Sequence, residues 1–304
     1  MTDEDLLVKA DESPVTTRDL AGQALYVLLL EEALGIPPGE LRLCGEETTD
    51  LLEGPDAAML LDRISRLLSS EGMALDPDHV AEVIARGSLR PEPGSGSTHW
   101  ICDPIDGTKR FLSGHVYSTC LALVRGGHLV AGAIGVPDLA GGSIDGSSAW
   151  NGRGTLVGAF RGGGAFQIDP SDPEQGRVPL VCQDDESDHR AVRIARSLGS
   201  VPFGRTMQTL LDASGIDGVP VQVDNQSKYA ALVTGHIDLI LQPSGSVDLP
   251  CSWDYAPGVL IAEEFGLHVR DSRNNTFDFD TGPFLQRNRG VRCASRDLYE
   301  KIFH

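Results

Sequence analysis

Residues 103–109 have the sequence DPIDGTK and follow an apolar run at 100–102. Two carboxylates three positions apart lie across a proline, and a glycine and a threonine follow at the first turn of a predicted helix. The free N–H groups of such a turn attract anions. Carboxylates beside an anion site make chemical sense when hard cations bridge them, because Mg²⁺ takes carboxylate and phosphate oxygens into one coordination shell. The alternative for this segment is a solvated acidic surface turn.

The charge balance of the chain restricts the classes of partner. The 304 residues include 25 Lys and Arg against 44 Asp and Glu, which gives a net charge of −19. This excess argues against nonspecific nucleic-acid binding and against adhesion to an anionic membrane, since both need clustered cations. We therefore expect neither a nucleic-acid polymer nor a membrane as partner. An anionic substrate would have to be attracted by bound cations.

The cysteines and the N-terminus predict the compartment. Six cysteines are spread through the chain without a CxxC pair, so we interpret them as reduced thiols. The acidic N-terminal sequence MTDEDLLVK lacks the apolar core of a signal peptide. Both features predict a cytoplasmic protein.

The hydrophobic pattern predicts an α/β protein of two halves. Helical spacing predicts one helix that ends near Gly35 and two more between 50 and 87, whereas 117–166 is typical of short β-strands with a hairpin turn at 126–127. After a polar break at 169–177, strand and helix signals alternate. The helices expected there lie near 188–198, 206–214, 227–234 and 253–265. We predict an N-terminal α+β domain at 1–175 that carries most metal ligands, and a C-terminal α/β domain at 176–304.

Two further segments offer carboxylates. GEE at 45–47 follows a short predicted strand, and WDYAPG at 253–258 places Asp254 at the start of a predicted helix. Each has a simpler interpretation. Glu46 and Glu47 could be solvated surface charge in a chain this acidic, and Asp254 could be a helix N-cap.

Taken together and in this order, four segments resemble the inositol monophosphatase superfamily of metal-dependent, lithium-sensitive phosphatases. They are DESPVTTRD (11–19), GEE (45–47), WICDPIDGTKRF (100–111) and WDYAPG (253–258). Lys109 and the segment VDNQSKY (223–229) are similar to the 3′(2′),5′-bisphosphate nucleotidases within that superfamily. The resemblance implies a layered αβαβα sandwich of α/β class with the active site between the two halves.

The resemblance also implies a set of metal ligands for two or three Mg²⁺ ions per site. Glu46, Asp103 and the backbone carbonyl of Ile105 would hold one ion, and Asp103, Asp106 and Asp254 would hold another. Glu47 would be a further metal ligand or a neighbouring group.

The catalytic and substrate-binding residues follow from the same resemblance. The Thr108 hydroxyl, oriented by Asp19, would align the attacking water, and the N–H groups of Gly107 and Thr108 would receive phosphoryl oxygens. The other substrate-binding candidates, all in the second half, are Arg205, Thr206, Asn225, Gln226, Lys228 and Asp254.

Three departures from the nucleotidase pattern leave the substrate open. Gln242 stands where nucleotidases commonly have an arginine, and the segments 204–207 and 248–252 also differ. We expect a phosphomonoesterase that acts on the 3′ or 2′ phosphate of a nucleotide such as adenosine 3′,5′-bisphosphate. The alternatives are a phosphatase of another phosphorylated nucleoside or of a sugar or inositol monophosphate, and a catalytically idle ligand-binding homologue. The protein would be a monomer or a homodimer.

Overall fold

Helices and sheets alternate in five layers, αβαβα, so the predicted layered sandwich is confirmed. The computed structural model describes residues 6–9, 14–137, 154–182, 191–196, 205–223, 225–242 and 249–303. Two short antiparallel strands, β1 (Leu6–Val8) and β2 (Pro14–Thr16), precede the layers and lead into the first helix.

The first layer consists of the three predicted N-terminal helices, α1 (Thr17–Leu34), α2 (Ala57–Ser70) and α3 (Pro77–Arg86). In α2, the buried side chains Leu60, Ile64 and Leu68 recur every four residues and form one apolar face. Burial of each stabilises the fold by about 1.5–3 kcal/mol. Helix α1 begins with a capping box in which Thr16 and Asp19 bond each other's backbone N–H groups.

The second layer is a seven-stranded sheet whose strands are neighbours in chain order. Its first pair is parallel and the remaining pairs are antiparallel. A short helix, α4 (Thr108–Leu112), follows the second strand. The strands are β3 (Leu43–Gly45), β4 (Thr98–Asp106), β5 (Ser118–Arg125), β6 (His128–Val136), β7 (Thr155–Phe160), β8 (Gly164–Ile168) and β9 (Val178–Leu180).

Two predictions about this sheet can be compared with the structure. Residues 126–127 form the turn between β5 and β6, so the predicted hairpin is confirmed. Strand β9 lies beyond the break at 169–177 and still pairs with β8. The first sheet therefore extends past the boundary that we placed at residue 175.

The remaining three layers belong to the second half of the chain. The elements are β10 (Ala191–Arg196), α5 (Arg205–Ala213), β11 (Asp217–Gln222), α6 (Ser227–Val233), β12 (Leu239–Gln242), α7 (Ala256–Phe265), β13 (His268–Arg270), β14 (Val291–Ala294) and α8 (Arg296–Phe303). Helices α6 and α7 pack between the two sheets, and α5 and α8 cover the outer face of the second sheet, whose order is β11-β10-β12-β14-β13.

The helix predicted near 188–198 is wrong, because the described part of this segment is strand β10. It forms parallel pairs with β11 on one side and β12 on the other. Val192 and Ile194 alternate with exposed residues and bury their side chains. This alternation of period two spans too few residues to be distinguished from a helix face by sequence alone.

The first seven residues of the central helix α7 are buried on every side, because one sheet lies on each face of the α6–α7 layer. Gly258 lies in this helix at its contact with α6. A Cβ atom there would collide with the ring of Tyr229, which is itself fully buried. Close approach of the two central helices therefore requires glycine at this position.

We expect Gly258→Ala to lower the free energy of unfolding by about 1–3 kcal/mol, because the collision outweighs the better helix propensity of alanine. Urea denaturation would measure the effect. Gly54→Ala is the matched control, since a Cβ there meets open space. Equal urea midpoints for Gly258→Ala and the wild type would contradict the packing described for α6 and α7.

Candidate active site

A β-bulge places Asp103 and Asp106 on the same side of the first sheet. Residues three apart on a regular strand point to opposite faces. The register of β4 against β5 shifts between these two residues, at Pro104 and Ile105. Proline lacks the N–H that a regular ladder needs, so it fits an irregular position. Asp103 is 2% exposed and Asp106 9%, and the alternative of a solvated surface turn is therefore wrong.

Asp254 joins these two carboxylates from the other half of the chain. It ends a short 3₁₀ helix at Ser252–Asp254 that precedes α7. One carboxylate oxygen from each of the three aspartates lies within 4.8 Å of the others. The N-cap position of α7 belongs to Tyr255, and no side chain caps this helix. The alternative of Asp254 as a helix N-cap is therefore wrong.

Glu46 and Glu47 follow β3 and lie beside the aspartates. The side chain of Glu47 is 2% exposed and that of Glu46 25%. The Lys9 ammonium, which comes from the segment after β1, lies 2.6 Å from Glu46 Oε1 and 2.9 Å from Glu47 Oε1. This lysine had no assigned role in the sequence analysis, and the structure places it as the counter-charge of the glutamate pair.

Burial and mutual repulsion raise the pKa values of the clustered carboxyls. Burial raises the pKa of Asp103 and Asp254 well above the usual range, and neighbouring carboxylates add to both shifts. Burial raises the pKa of Asp106 to about 6, although the Lys228 ammonium opposes this shift. Burial, with the charge of Glu46, raises the pKa of Glu47 to about 8. The cations of the protein therefore neutralise only part of the negative charge that these groups carry when they are ionised.

Asp19 and Thr108 meet as the resemblance implied. The Thr108 hydroxyl lies 3.3 Å from Asp19 Oδ1 and 3.4 Å from the Ile105 carbonyl oxygen. The other Asp19 oxygen accepts hydrogen bonds from the Thr16 N–H at 2.8 Å and the Thr16 hydroxyl at 2.5 Å. The capping box of α1 thus fixes the carboxylate that contacts Thr108.

The segment at 225–228 supports the aspartates from the second half. Asp106 accepts hydrogen bonds from the Gln226 N–H and from the Ser118 hydroxyl. The Gln226 side chain is fully buried and bonds the Trp253 carbonyl and the Gly258 N–H, on either side of Asp254. The side-chain amide of Gln226 therefore fixes the segment that carries Asp254.

Lys228 is also buried, at 5% exposure, and its charge lowers the pKa of both Asp106 and Asp254. Asn225, by contrast, borders the cavity beside the aspartates. Its amide donates to the Val116 carbonyl at 2.8 Å, and its oxygen accepts from the Ser227 N–H at 2.9 Å. Of these three candidates for substrate contact, only Asn225 lines the cavity in the described part of the chain.

Two side chains that sequence reasoning missed hold the turn that carries Glu46. Gln23 of α1 donates to the Glu47 carbonyl at 2.8 Å and accepts from the Glu47 N–H at 2.9 Å. Arg90 donates to the Gly45 carbonyl at 2.9 Å, and its guanidinium lies 5.4 Å from the centre of the Trp253 ring. Arg90 thereby connects the Glu46 turn to the segment of Asp254. No short motif signals either residue.

The remaining candidates lie farther along the second half. Residues 205 and 206 begin α5, but their side chains lie outside the described part of the chain. Gln242 ends β12 and is partly buried. Residue 204 and residues 243–248 also lie outside the described residues. All six cysteines are free, as predicted.

A cavity of about 310 Å³ opens onto this cluster. Its size is at the lower end of the range for small-molecule sites, roughly 300–1,000 Å³. Its lining combines carboxylates, the start of α4 and two cations: Pro14, Glu46, Asp103, Asp106, Gly107, Thr108, Lys109, Arg110, Asn225 and Asp254. The donor set fits hard divalent cations, since it offers buried carboxylate oxygens and no sulfur or imidazole ligand among these residues.

The comparison with known families identifies the family to which this chain belongs. The sequence profile described as the inositol monophosphatase family matches residues 59–304. The chain belongs to this family. As a member of the inositol monophosphatase family it is a metal-dependent phosphatase, and the predicted enzyme class is confirmed.

Two similar relatives are named nucleotidases. The 3′(2′),5′-bisphosphate nucleotidase of Schizosaccharomyces pombe is 30% identical over 97% of this chain and 84% of its own length. The 3′,5′-bisphosphate nucleotidase 2 of Arabidopsis thaliana is 32% identical over 95% of this chain and 84% of its own length. A staphylococcal inositol monophosphatase I, solved with its products, is similar in fold, with a TM-score of 0.58 at 17% identity over 98% of this chain and 83% of that chain.

Among the described residues, no helix combines the length and apolarity needed to cross a bilayer.

The raised carboxyl pKa values predict how the stability of the metal-free protein depends on pH. Carboxyl groups whose pKa is higher in the folded than in the unfolded state bind more protons when folded, so their contribution to stability is lost as pH rises through the folded pKa. In EDTA, we expect the melting temperature to fall between about pH 6.5 and 8.5, the range that includes the raised pKa of Glu47. The pKa values of His99 and His236 are lowered, so their titration raises stability as pH increases, and this opposing effect fades above about pH 7.

Differential scanning fluorimetry in EDTA and in saturating Mg²⁺ would measure this slope. Bound cations favour the ionised carboxylates, so Mg²⁺ should flatten or reverse it. A melting temperature that is constant or rises with pH in EDTA would contradict the described electrostatics of the cluster.

Proposed function

We propose that this phosphatase removes the 3′ (or 2′) phosphate from a phosphorylated nucleotide such as adenosine 3′,5′-bisphosphate, with Mg²⁺ as its metal. The observation that carries the proposal is the convergence of three aspartate oxygens within 4.8 Å at a cavity that also contains Thr108. The nucleotide is favoured by relatives that are 30–32% identical over nearly the whole chain and are named bisphosphate nucleotidases.

The carboxylates of Asp103, Asp106 and Asp254 would hold the ions, with Glu46 and the Ile105 carbonyl as further ligands. Their oxygens are the donors that Mg²⁺ prefers. Bound divalent ions supply the positive charge that a phosphoryl group needs and lower the pKa of a water molecule. Asp106 is buried and accepts hydrogen bonds from the Ser118 hydroxyl and the Gln226 N–H. These bonds orient its carboxylate before any ion arrives.

The contact between Thr108 and Asp19 would orient the nucleophilic water. When the Thr108 hydroxyl donates to Asp19 Oδ1, its oxygen lone pairs are directed away from Asp19 and can accept a hydrogen bond from water. The water oxygen would attack phosphorus as the ester P–O bond breaks, while the water proton passes to Thr108 Oγ1 and the threonine proton passes to Asp19. The departing sugar oxygen would take a proton from solvent and leave as a hydroxyl group. Burial raises the pKa of Asp19, which makes it a better proton acceptor.

The turn at Gly107 would receive the phosphoryl oxygens through its backbone N–H and that of Thr108. Gly107 has a φ of 93°, which favours glycine. A Cβ at this position would also lie 2.6 Å from Asn225 Nδ2. Substitution here would therefore displace either the turn or Asn225, and both border the cavity.

A substrate panel tests the proposed function. We expect the highest kcat/KM for adenosine 3′,5′-bisphosphate, compared with inositol 1-phosphate and fructose 1,6-bisphosphate, in a malachite-green assay of phosphate release with Mg²⁺. EDTA should abolish release. A rank order that places the nucleotide last, or the absence of Mg²⁺-dependent release from it, would reject the nucleotidase assignment.

We expect Asp106→Asn to lower kcat/KM by at least about 100-fold, because it removes a charge that positions the cations. The melting temperature in EDTA should stay equal or rise, since the substitution relieves repulsion among the carboxylates. Asp271→Asn is the matched control, because Asp271 is buried but accepts backbone hydrogen bonds at the far end of the second sheet. It should lose stability and keep its kcat/KM. Marked destabilisation of Asp106→Asn in EDTA would show a structural role instead.

A further inference from the structure

The cations of the active site divide into two groups with different surroundings. Lys9 and Lys228 act on the carboxylates, since their charges lower the pKa of Asp254, and Lys228 also lowers that of Asp106. Neither lysine lines the cavity. The cations that do line the cavity, in the described part of the chain, are Lys109 and Arg110.

Lys109 and Arg110 are held next to each other in α4, directly after Thr108. Lys109 is exposed, whereas Arg110 is 5% exposed although it carries a permanent charge. The Arg110 guanidinium donates to the carbonyl of Gln222, at the end of β11, with a distance of 3.2 Å. This bond crosses from the first half of the chain to the second and fixes the position of the guanidinium beside the cavity.

A substrate with two phosphates meets two different environments in this cavity. One phosphate can approach the carboxylates only through bound cations, because direct contact would be repulsive. The other phosphate has no such ions to neutralise it and needs fixed cationic side chains. Gln242 is uncharged, and Lys228, whose charge acts on the aspartates, does not line the cavity.

We propose that Arg110, assisted by Lys109, forms a subsite for the phosphate that is not hydrolysed, so that the cavity selects small molecules with two phosphoryl groups on one sugar. This inference rests on the proposed function and adds the origin of its specificity. The planar guanidinium suits the role because its several N–H donors match the geometry of phosphate oxygens. The ammonium of Lys109, at the exposed edge of the cavity, adds charge without fixing geometry.

The competing interpretation is that Arg110 only connects the two halves through Gln222. A connecting role would affect stability and would change all substrates alike. A phosphate subsite would affect only substrates that carry the second phosphate. A pair of nucleotides that differ in that single group therefore distinguishes the two roles.

The experiment compares adenosine 3′,5′-bisphosphate with adenosine 3′-monophosphate as substrates of the full chain with Mg²⁺. For Arg110→Gln we expect KM for the bisphosphate to rise about 10–100-fold, the effect of losing a charged hydrogen bond, with a much smaller change in kcat. The KM for the monophosphate should change by less than about threefold. Arg110→Lys should recover only part of the loss, because it lacks the planar fork.

Two more variants complete the design. Lys109→Gln should raise KM for the bisphosphate by a smaller factor, about 3–10-fold, since its ammonium is exposed to solvent. Arg125→Gln is the matched control, because Arg125 is an exposed arginine at the end of β5 and does not line the cavity. It should leave both KM values unchanged. Should Arg110→Gln not fold, Arg110→Lys and Lys109→Gln still test the subsite.

The outcomes separate this inference from the proposed function. Equal changes in KM for both nucleotides, or a wild type that binds them equally well, would overturn the subsite and leave a nucleotide phosphatase in place. A wild type that hydrolyses neither nucleotide but releases phosphate from another ester would overturn the proposed function, and the subsite with it. A selective loss for the bisphosphate supports both.

Discussion

The constraint on which the structure depends is the mutual repulsion of carboxylates that the fold brings together out of water. Asp103, Asp106 and Asp254 present oxygens within 4.8 Å of one another, and burial raises the pKa of all three. Such a cluster destabilises the metal-free protein. Stability must therefore come from the surrounding layers, whose apolar side chains pack against both faces of the first sheet. Lys9 and Lys228 offset part of the repulsion, and bound divalent cations would offset the rest.

The cluster is assembled from both halves of the chain, so its geometry depends on contacts that cross between them. Gln226, at the start of α6, donates its backbone N–H to Asp106 and uses its side chain to hold the residues around Asp254. Arg90 connects the turn of Glu46 to Trp253, next to Asp254. These bonds fix the positions of the proposed metal ligands, and such fixed geometry suits electrostatic catalysis of phosphoryl transfer.

Short motifs predicted which aspartates the fold brings together, because these residues lie in segments with recognisable spacing. The two carboxylates lie across a proline, and the structure has a bulge at that position. Gln23 and Arg90 could not be found, because each acts through a backbone carbonyl of a segment distant in sequence, and such a contact leaves no local pattern. The strand Ala191–Arg196 was predicted as a helix for a related reason: its state is decided by pairing with β11 and β12, not by its own six residues.

The most direct test of this account counts the ions that the folded protein binds. Equilibrium dialysis of the metal-free protein against Mn²⁺, a spectroscopically visible substitute for Mg²⁺, would give the number of ions per chain. We expect about two or three ions per wild-type chain and at least one fewer for Asp254→Asn, with both proteins folded by circular dichroism. An equal number of bound ions in the two proteins, or no binding by the wild type, would contradict the claim that Asp254 and the first-sheet aspartates form one metal centre.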